Sequence, residues 1–225
     1  MSRTKPAEER RADLLAAGRS LFITKGIAAT TLEEITTGAG VSKGLFYQYF
    51  GSKDDLVAAL QEQFSSQFAQ RMRDAIDAQP DWAAKLDATV QAAFECYREL
   101  HELHEVLFHH GGHEHGPGRP GQAQPGRPQA VTSPGGAEPA RPGGRHAGQH
   151  RGPAHTPHAQ VMRELLDAGV AAGTYRVDDT ETTAVLFYMT MHALDLHFHG
   201  GQPPTETQLV RATQQMFRRA AGIAG

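Results

Sequence analysis

Apolar residues recur along much of the chain at intervals of three and four, and this spacing predicts a fold built from helices. The first predicted helix covers residues 8–26, where Lys25 gives a basic last turn and Gly26 ends the helix. Thr31 and Glu34 have the spacing of a capping box, in which each side chain bonds the backbone of the other residue. They predict a short second helix that stops near the glycines at positions 38 and 40.

Serine residues mark the beginnings of the next two predicted helices. Ser42 can cap a short helix over residues 43–49, and Ser52 precedes a helix that runs to about Ala78. A second long helix follows over residues 82–110. Three further helices are predicted over 159–172, 180–199 and 205–221. Since no segment has the alternating pattern of a strand, we predict an all-α fold.

The predicted helix 180–199 is apolar on two sides. One stripe contains Val185 and Met189, and the other contains Phe187 and Met191. A helix that is apolar on two sides has to be covered on two sides. The last two helices therefore either close their own domain or pack against the same pair of helices in a second chain.

Charge and composition narrow the class of protein. The net charge is −3, and the one cysteine, Cys96, excludes an intrachain disulfide and a cysteine-based zinc site. The N-terminus lacks the apolar segment of a signal peptide, and the most apolar run is too short to span a bilayer. We therefore expect a cytoplasmic protein with no membrane contact. The motifs of nucleophile-elbow, phosphate-loop and HExxH enzymes are absent from the sequence, so no enzymatic activity is expected.

The short segment between the second and third helices has the composition of a helix-turn-helix turn. Gly38, Gly40 and Val41 allow the chain to reverse within a few residues and to fill the gap between the two helices. The helix that follows carries short polar, basic and aromatic side chains, which suit a recognition helix. Phe46 and Phe50 are expected to face the core.

The run of residues from Thr30 to Leu56, TTLEEITTGAGVSKGLFYQYFGSKDDL, resembles the DNA-binding domain of TetR-type transcriptional repressors. The resemblance covers residues 8–60 and continues only as a pattern of helices. It implies a three-helix helix-turn-helix DNA-binding domain over residues 1–55. Residues 56–225 are then expected to form a helical domain for effector binding and dimerisation.

The resemblance also implies a role for individual residues. Residues that match positions holding the phosphate backbone in this family are Thr31, Tyr47, Tyr49 and Lys53, and Ser42 is a further phosphate ligand at the start of the recognition helix. Lys43, Gly44 and Gln48 match positions that face base edges. The implied partners are double-stranded operator DNA with a palindromic sequence, a second copy of the chain and a small-molecule effector that releases the DNA. The sequence leaves open a DNA-binding architectural factor that has no effector.

Candidate residues for the effector site come from the apolar stripes of the C-terminal helices. The residues expected to line a pocket are Phe94, Tyr97, Leu107, Met162, Tyr188, Met189 and His192. The same residues would also serve as ordinary core. Histidines cluster at 101–115 and 192–199, and imidazole and carboxylate groups can bind zinc, nickel or copper, so a metal-responsive regulator stays open. Their spacing does not require a metal, and neither a metal nor another cofactor is expected.

Residues 111–157 differ in composition from the rest of the chain. They contain nine of the 13 prolines and 12 of the 24 glycines, and no Ile, Leu, Phe, Met, Trp or Tyr. Because this segment has so few apolar side chains to bury, we predict that it is a long disordered insert. Two explanations stay open: a mildly basic loop that touches DNA phosphates, or a stretch of GC-rich DNA translated out of frame.

Overall fold

The computed structural model describes residues 5–109, 156–192 and 204–223, and the side chains of His109 and His192 are outside this description. Within these ranges the chain forms eight α-helices and one π-helical turn, and no strand. The helices are α1 (Ala7–Lys25), α2 (Leu32–Gly38), α3 (Lys43–Tyr49), α4 (Lys53–Asp77), α5 (Trp82–His104), α6 (Pro157–Ala171), α7 (Thr180–His192) and α8 (Glu206–Ala220). The all-α prediction is confirmed.

The N-terminal helices begin at the capping residues that the sequence indicated. The Thr31 side chain accepts a hydrogen bond from the Glu34 amide, and the Glu34 carboxylate accepts one from the Thr31 amide at 2.8 Å. The hydroxyls of Ser42 and Ser52 accept from the third amide of α3 and α4. These bonds satisfy amides that have no partner inside the helix, and they fix where each short helix begins.

Two predicted helix boundaries move in the structure. The helix predicted over 82–110 is α-helical only to His104, and Glu105–His109 continue it as a π-helical turn. Helix α6 begins at Pro157 with Thr156 as its N-cap, so the last residue of the predicted insert is already helical. Proline is suited to this position because its missing amide would have no partner in the first turn. The rest of the predicted insert, residues 111–155, lies outside the described residues, as do residues 193–199 of the predicted helix 180–199.

One apolar core runs through both ends of the molecule. Helices α1 to α3 contribute Phe22, Ile35 and Phe46, each fully buried, and α4 continues this core with Leu56 and Leu60. Helix α4 then packs along α5 and α6, while α7 packs on α6 and α8 packs on α5. The same α4 helix therefore belongs to the N-terminal helices at its start and to the C-terminal helices along the rest of its length.

A close contact fixes the turn between α6 and α7. The Tyr175 ring lies against Gly169, where a Cβ atom would come within 2.0 Å of the ring. The Tyr175 hydroxyl donates a 2.6 Å hydrogen bond to the Trp82 carbonyl, and burial raises the pKa of Tyr175 to about 12. Among the helices of the described ranges, none is long and apolar enough to cross a membrane.

Candidate nucleic-acid interface

The turn between α2 and α3 is closed by backbone hydrogen bonds. Gly40 has a φ of 65°, a left-handed conformation that residues with a side chain rarely adopt. The Val41 amide donates to the Thr36 carbonyl at 2.9 Å, and the Val41 side chain packs against the core. The two helices are thus held in the helix-turn-helix arrangement by the residues that predicted it.

Helix α3 has one buried face and one exposed face. Phe46 is fully buried and Phe50 is 4% exposed, as expected. The opposite face carries the predicted DNA-contacting residues, of which Ser42, Lys43, Gly44, Tyr47 and Gln48 are exposed, while Tyr49 is half-buried. The exposed fraction of Tyr47 is 57%, which is high for a large aromatic side chain.

Gly44 has free space around its Cα atom. A Cβ atom added there would meet only the Ser42 hydroxyl, at 3.9 Å, which is an ordinary van der Waals distance. The fold itself therefore does not need glycine at this position. A glycine on the exposed face of a short helix instead allows another surface to approach the backbone closely.

Lys43 and Glu33 form an ion pair across the turn. Their charged groups are 3.6 Å apart, and both side chains are largely exposed. An exposed pair of this kind contributes little to stability. The Lys43 ammonium can therefore leave Glu33 for an acceptor on another molecule at small cost. Sequence reasoning missed Glu33, because its position ten residues before Lys43 gives no signal of the contact.

The capping box of α2 also holds a lysine. The Lys25 ammonium donates to the Glu34 carboxylate, which accepts from the Thr31 hydroxyl at 2.8 Å as well. The bond from Lys25, followed by those from the Thr31 amide and hydroxyl, lowers the pKa of Glu34 from 4.5 to about 2. Thr31 itself is exposed to solvent.

Lys53 binds the loop between α1 and α2. Its ammonium donates to the carbonyl of Ile27 at 2.7 Å and to the carbonyl of Thr30 at 3.0 Å. Since an ammonium has three donors, one N–H is left for a further acceptor such as a phosphate. These hydrogen bonds of Lys53 were not predicted, because every residue has a backbone carbonyl and the sequence does not indicate which ones Lys53 contacts. Sequence reasoning also missed Arg11, whose guanidinium lies over the Phe50 ring at 5.5 Å.

The residues predicted to line an effector pocket do not all lie together. Phe94 and Tyr97 line a groove between α5 and α8, and Leu107 and Met162 are buried in the core. Tyr188 stacks on the ring of His158 at 4.9 Å. Met189 is 55% exposed on α7, so it lines no interior pocket of the single chain. The side chain of His192 is outside the description.

The first part of the chain matches a known protein family. Residues 14–60 match the family model described as bacterial regulatory proteins, tetR family. This range contains the capping box, the turn and all of α3. The resemblance stated from the sequence is confirmed over this range: residues 14–60 are similar to regulators of the TetR family.

Two curated relatives each match a little less than half of the chain. The transcriptional repressor KstR2 of Mycobacterium tuberculosis is 33% identical over 99 residues, or 44% of this chain and 49% of the relative. The transcriptional activator FasR of Mycolicibacterium smegmatis is 32% identical over 103 residues, or 46% of this chain and 47% of the relative. The matched region thus spans about half the length of these relatives.

Solved structures extend the likeness to the whole fold. A TetR-family regulator from Pectobacterium atrosepticum has a TM-score of 0.59 and 22% sequence identity, over 96% of this chain and 95% of that one. At this level of identity the likeness shows the fold alone. The helices of this chain therefore share the overall fold of that structure.

Proposed function

We propose that the chain is a sequence-specific transcriptional regulator, most simply a repressor, that binds operator DNA as a homodimer in the cytoplasm. The observation that carries this proposal is the exposed face of α3. Lys43, Tyr47 and Gln48 extend from this face, while Phe46 and Phe50 anchor the opposite face in the core. Lysine and glutamine are side chains that bind guanine and adenine edges in the major groove.

The surroundings of α3 supply groups for the phosphate backbone. Ser42 and Thr31 are the N-caps of α3 and α2, and the positive end of a helix dipole attracts anions. One donor of Lys53 and the Tyr47 hydroxyl complete the predicted set, with Tyr49 contributing from its half-buried position. Contacts of this kind position the protein on DNA, and base contacts select the sequence.

Exposed apolar side chains on α7 and α8 support the homodimer. Leu186 is 54% exposed, Met189 is 55% exposed and Met216 is 45% exposed. Large apolar residues that lie on neighbouring helices and face solvent mark a surface for association. Two-fold pairing through this surface would present two α3 helices to a palindromic operator, about one helical turn of DNA apart.

The contacts of helix α4 support the proposal that an effector releases the DNA. Its first residue, Lys53, bonds the loop before α2, and Gln61 one third of the way along donates to the Leu107 carbonyl at 2.7 Å. Leu107 lies in the π-helical turn, a conformation that is frequent at functional sites. A ligand that favours a different position of α4 would thereby shift both α3 helices away from their matching grooves.

The proposal is tested by selecting duplexes from a random DNA library with the full chain and sequencing the bound fraction. An enriched inverted repeat whose half-sites are about 10 base pairs apart is the expected result. A protein with Lys43→Ala and Gln48→Ala should fail to enrich the same repeat while retaining its helical content. Enrichment of no sequence by the unchanged chain would refute sequence-specific binding and favour an architectural factor.

A further inference from the structure

A groove of about 290 Å³ lies between α5 and α8. Phe94 and Tyr97 form its floor and are 4% and 8% exposed, and the half-buried Leu209 forms one wall. Because the floor residues are already almost covered, the groove is a depression in a packed surface. A ligand in the groove would meet the small exposed parts of these two aromatic rings and the half-buried leucine.

The rim of the groove is charged. Arg98 and Glu206 face each other across it with a nitrogen–oxygen distance of 3.3 Å, and His101 lies on the same side as Arg98. The two charged side chains are 60% and 45% exposed. An exposed ion pair at this distance contributes little to stability, so another carboxylate can replace Glu206 on Arg98 at small cost.

The chemistry of Arg98 decides which ligand fits best. A guanidinium binds a carboxylate most strongly when two of its nitrogens bond both oxygens. The contact with Glu206 uses one nitrogen and one oxygen at a long distance, so a carboxylate that moves freely can bond Arg98 better than Glu206 does. His101 places an imidazole ring on this side of the rim.

We propose that the groove binds a small carboxylic acid with an apolar body, whose carboxylate takes the place of Glu206 on Arg98. The apolar body would pack on Phe94, Tyr97 and Leu209. The volume of about 290 Å³ is just below the roughly 300–1,000 Å³ of small-molecule sites, which favours an acid with one ring or a medium-length chain.

This inference rests on the proposed function, because it makes the acid the effector. Glu206 is the first residue of α8, and Arg98 lies on α5. Replacing their ion pair with a bond to the ligand releases the start of α8 from α5. Helix α8 also carries Met216 of the exposed apolar surface, so its position affects how two chains would pair.

The test is a calorimetric titration of the full chain, without DNA, with phenylacetate and with phenylacetamide. Phenylacetamide has the same ring and no charge, so it reports the contribution of the carboxylate. We expect saturable binding of phenylacetate that is at least ten times tighter than that of phenylacetamide. Arg98→Gln should weaken phenylacetate binding at least tenfold, and Glu206→Gln should tighten it about threefold, because the competing carboxylate is removed.

The matched control is Arg73→Gln. Arg73 is also exposed and also pairs with one glutamate, Glu164, at 3.6 Å, but it lies outside this groove. Its substitution should leave phenylacetate binding unchanged. Equal binding of the acid and the amide, equal losses in the two arginine variants, or no binding at all would overturn the proposal. Because the titration contains no DNA, these failures leave selection of an inverted repeat as a separate test of the proposed function.

Discussion

The ammonium group of Lys53 donates a 2.7 Å hydrogen bond to the backbone carbonyl of Ile27, 26 residues earlier in the chain. This bond joins the first residue of α4 to the loop that leads into α2. Helix α4 extends into the C-terminal helices, so Lys53 connects the two parts of the molecule. The residue that was expected only to bind phosphate also positions the DNA-binding helices.

The double use of Lys53 predicts two separable effects of Lys53→Met. Loss of two hydrogen bonds from a charged donor should lower the free energy of unfolding by about 1–3 kcal/mol, measured by urea titration. Loss of one phosphate contact should reduce the slope of log affinity against log salt concentration by about one on a non-specific duplex. Lys53→Arg keeps the charge and should preserve most of the slope. A stability loss with an unchanged slope would leave Lys53 with its positioning role only.

The space around Gly44 predicts opposite effects of Gly44→Ala on stability and on DNA binding. Alanine is the better helix former by about 0.5–1 kcal/mol, and its Cβ atom meets no closer atom than the Ser42 hydroxyl at 3.9 Å. Unfolding should therefore require more urea. DNA affinity should fall at least tenfold, because the added methyl group holds α3 away from the base edges.

Gly18→Ala is the control for this comparison. There the added Cβ atom would lie 2.5 Å from a Leu56 methyl group in the contact between α1 and α4. The variant should unfold in less urea than the unchanged chain. Should Gly44→Ala bind the selected duplex as tightly as the unchanged chain, close approach of DNA at this residue would be disproved.

The hydrogen bonds to Glu34 predict how acid weakens the junction of α1 and α2. Bonds from Lys25 and Thr31 lower the pKa of Glu34 in the folded protein from 4.5 to about 2. A carboxyl group with a lowered pKa stabilises the fold fully above pH 4.5, and this contribution disappears as the pH falls towards 2. The difference in urea midpoint between the unchanged chain and Glu34→Gln should therefore shrink over that range.

Lys25→Met is the companion variant, because it removes the strongest cause of the shift while retaining Glu34. Its acid sensitivity should lie between those of the unchanged chain and Glu34→Gln. The measurement is the urea midpoint followed by circular dichroism at several pH values between 7 and 2.5. A difference between the unchanged chain and Glu34→Gln that grows on acidification would contradict the assignment.

The exposed apolar surface predicts which substitution prevents dimerisation. Leu186→Glu places a charge on α7 where the side chain is 54% exposed in the single chain, so the fold should tolerate it. The molar mass from light scattering should fall from that of a dimer to that of a monomer. Val170→Glu on α6, where valine is 39% exposed, is the matched control and should remain dimeric. Equal masses in the two variants would place the dimer surface elsewhere.

The sequence predicted those features that depend on local chemistry. Thr31, Ser42 and Ser52 fixed the helix starts because a capping bond involves residues three apart. Phe46 on α3 and Phe50 directly after it were expected to face the core, and both are buried. The DNA-contacting residues that the family resemblance implies stay a prediction.

Contacts between residues far apart in the chain could not be predicted from the sequence. The bonds from Lys53 to two carbonyls and the pairing of Arg98 with Glu206 join residues far apart in the chain, and no local pattern encodes them. Met189 is a second example. The apolar pattern along α7 predicted that Met189 would line a pocket, but the same pattern also fits a helix face that is exposed to solvent, and Met189 is exposed. Whether an apolar helix residue is buried or exposed depends on how the helices pack against each other.

The most direct measurement of the central claim is the ratio of two dissociation constants for the full chain. One is for the duplex that selection enriches, and the other is for a duplex of the same length and composition with the sequence shuffled. Fluorescence anisotropy at a single, stated salt concentration of about 0.15 M provides both values. A sequence-reading α3 predicts a ratio of at least about a thousand. A ratio below about ten would contradict it and leave only non-specific attraction between the protein and phosphates.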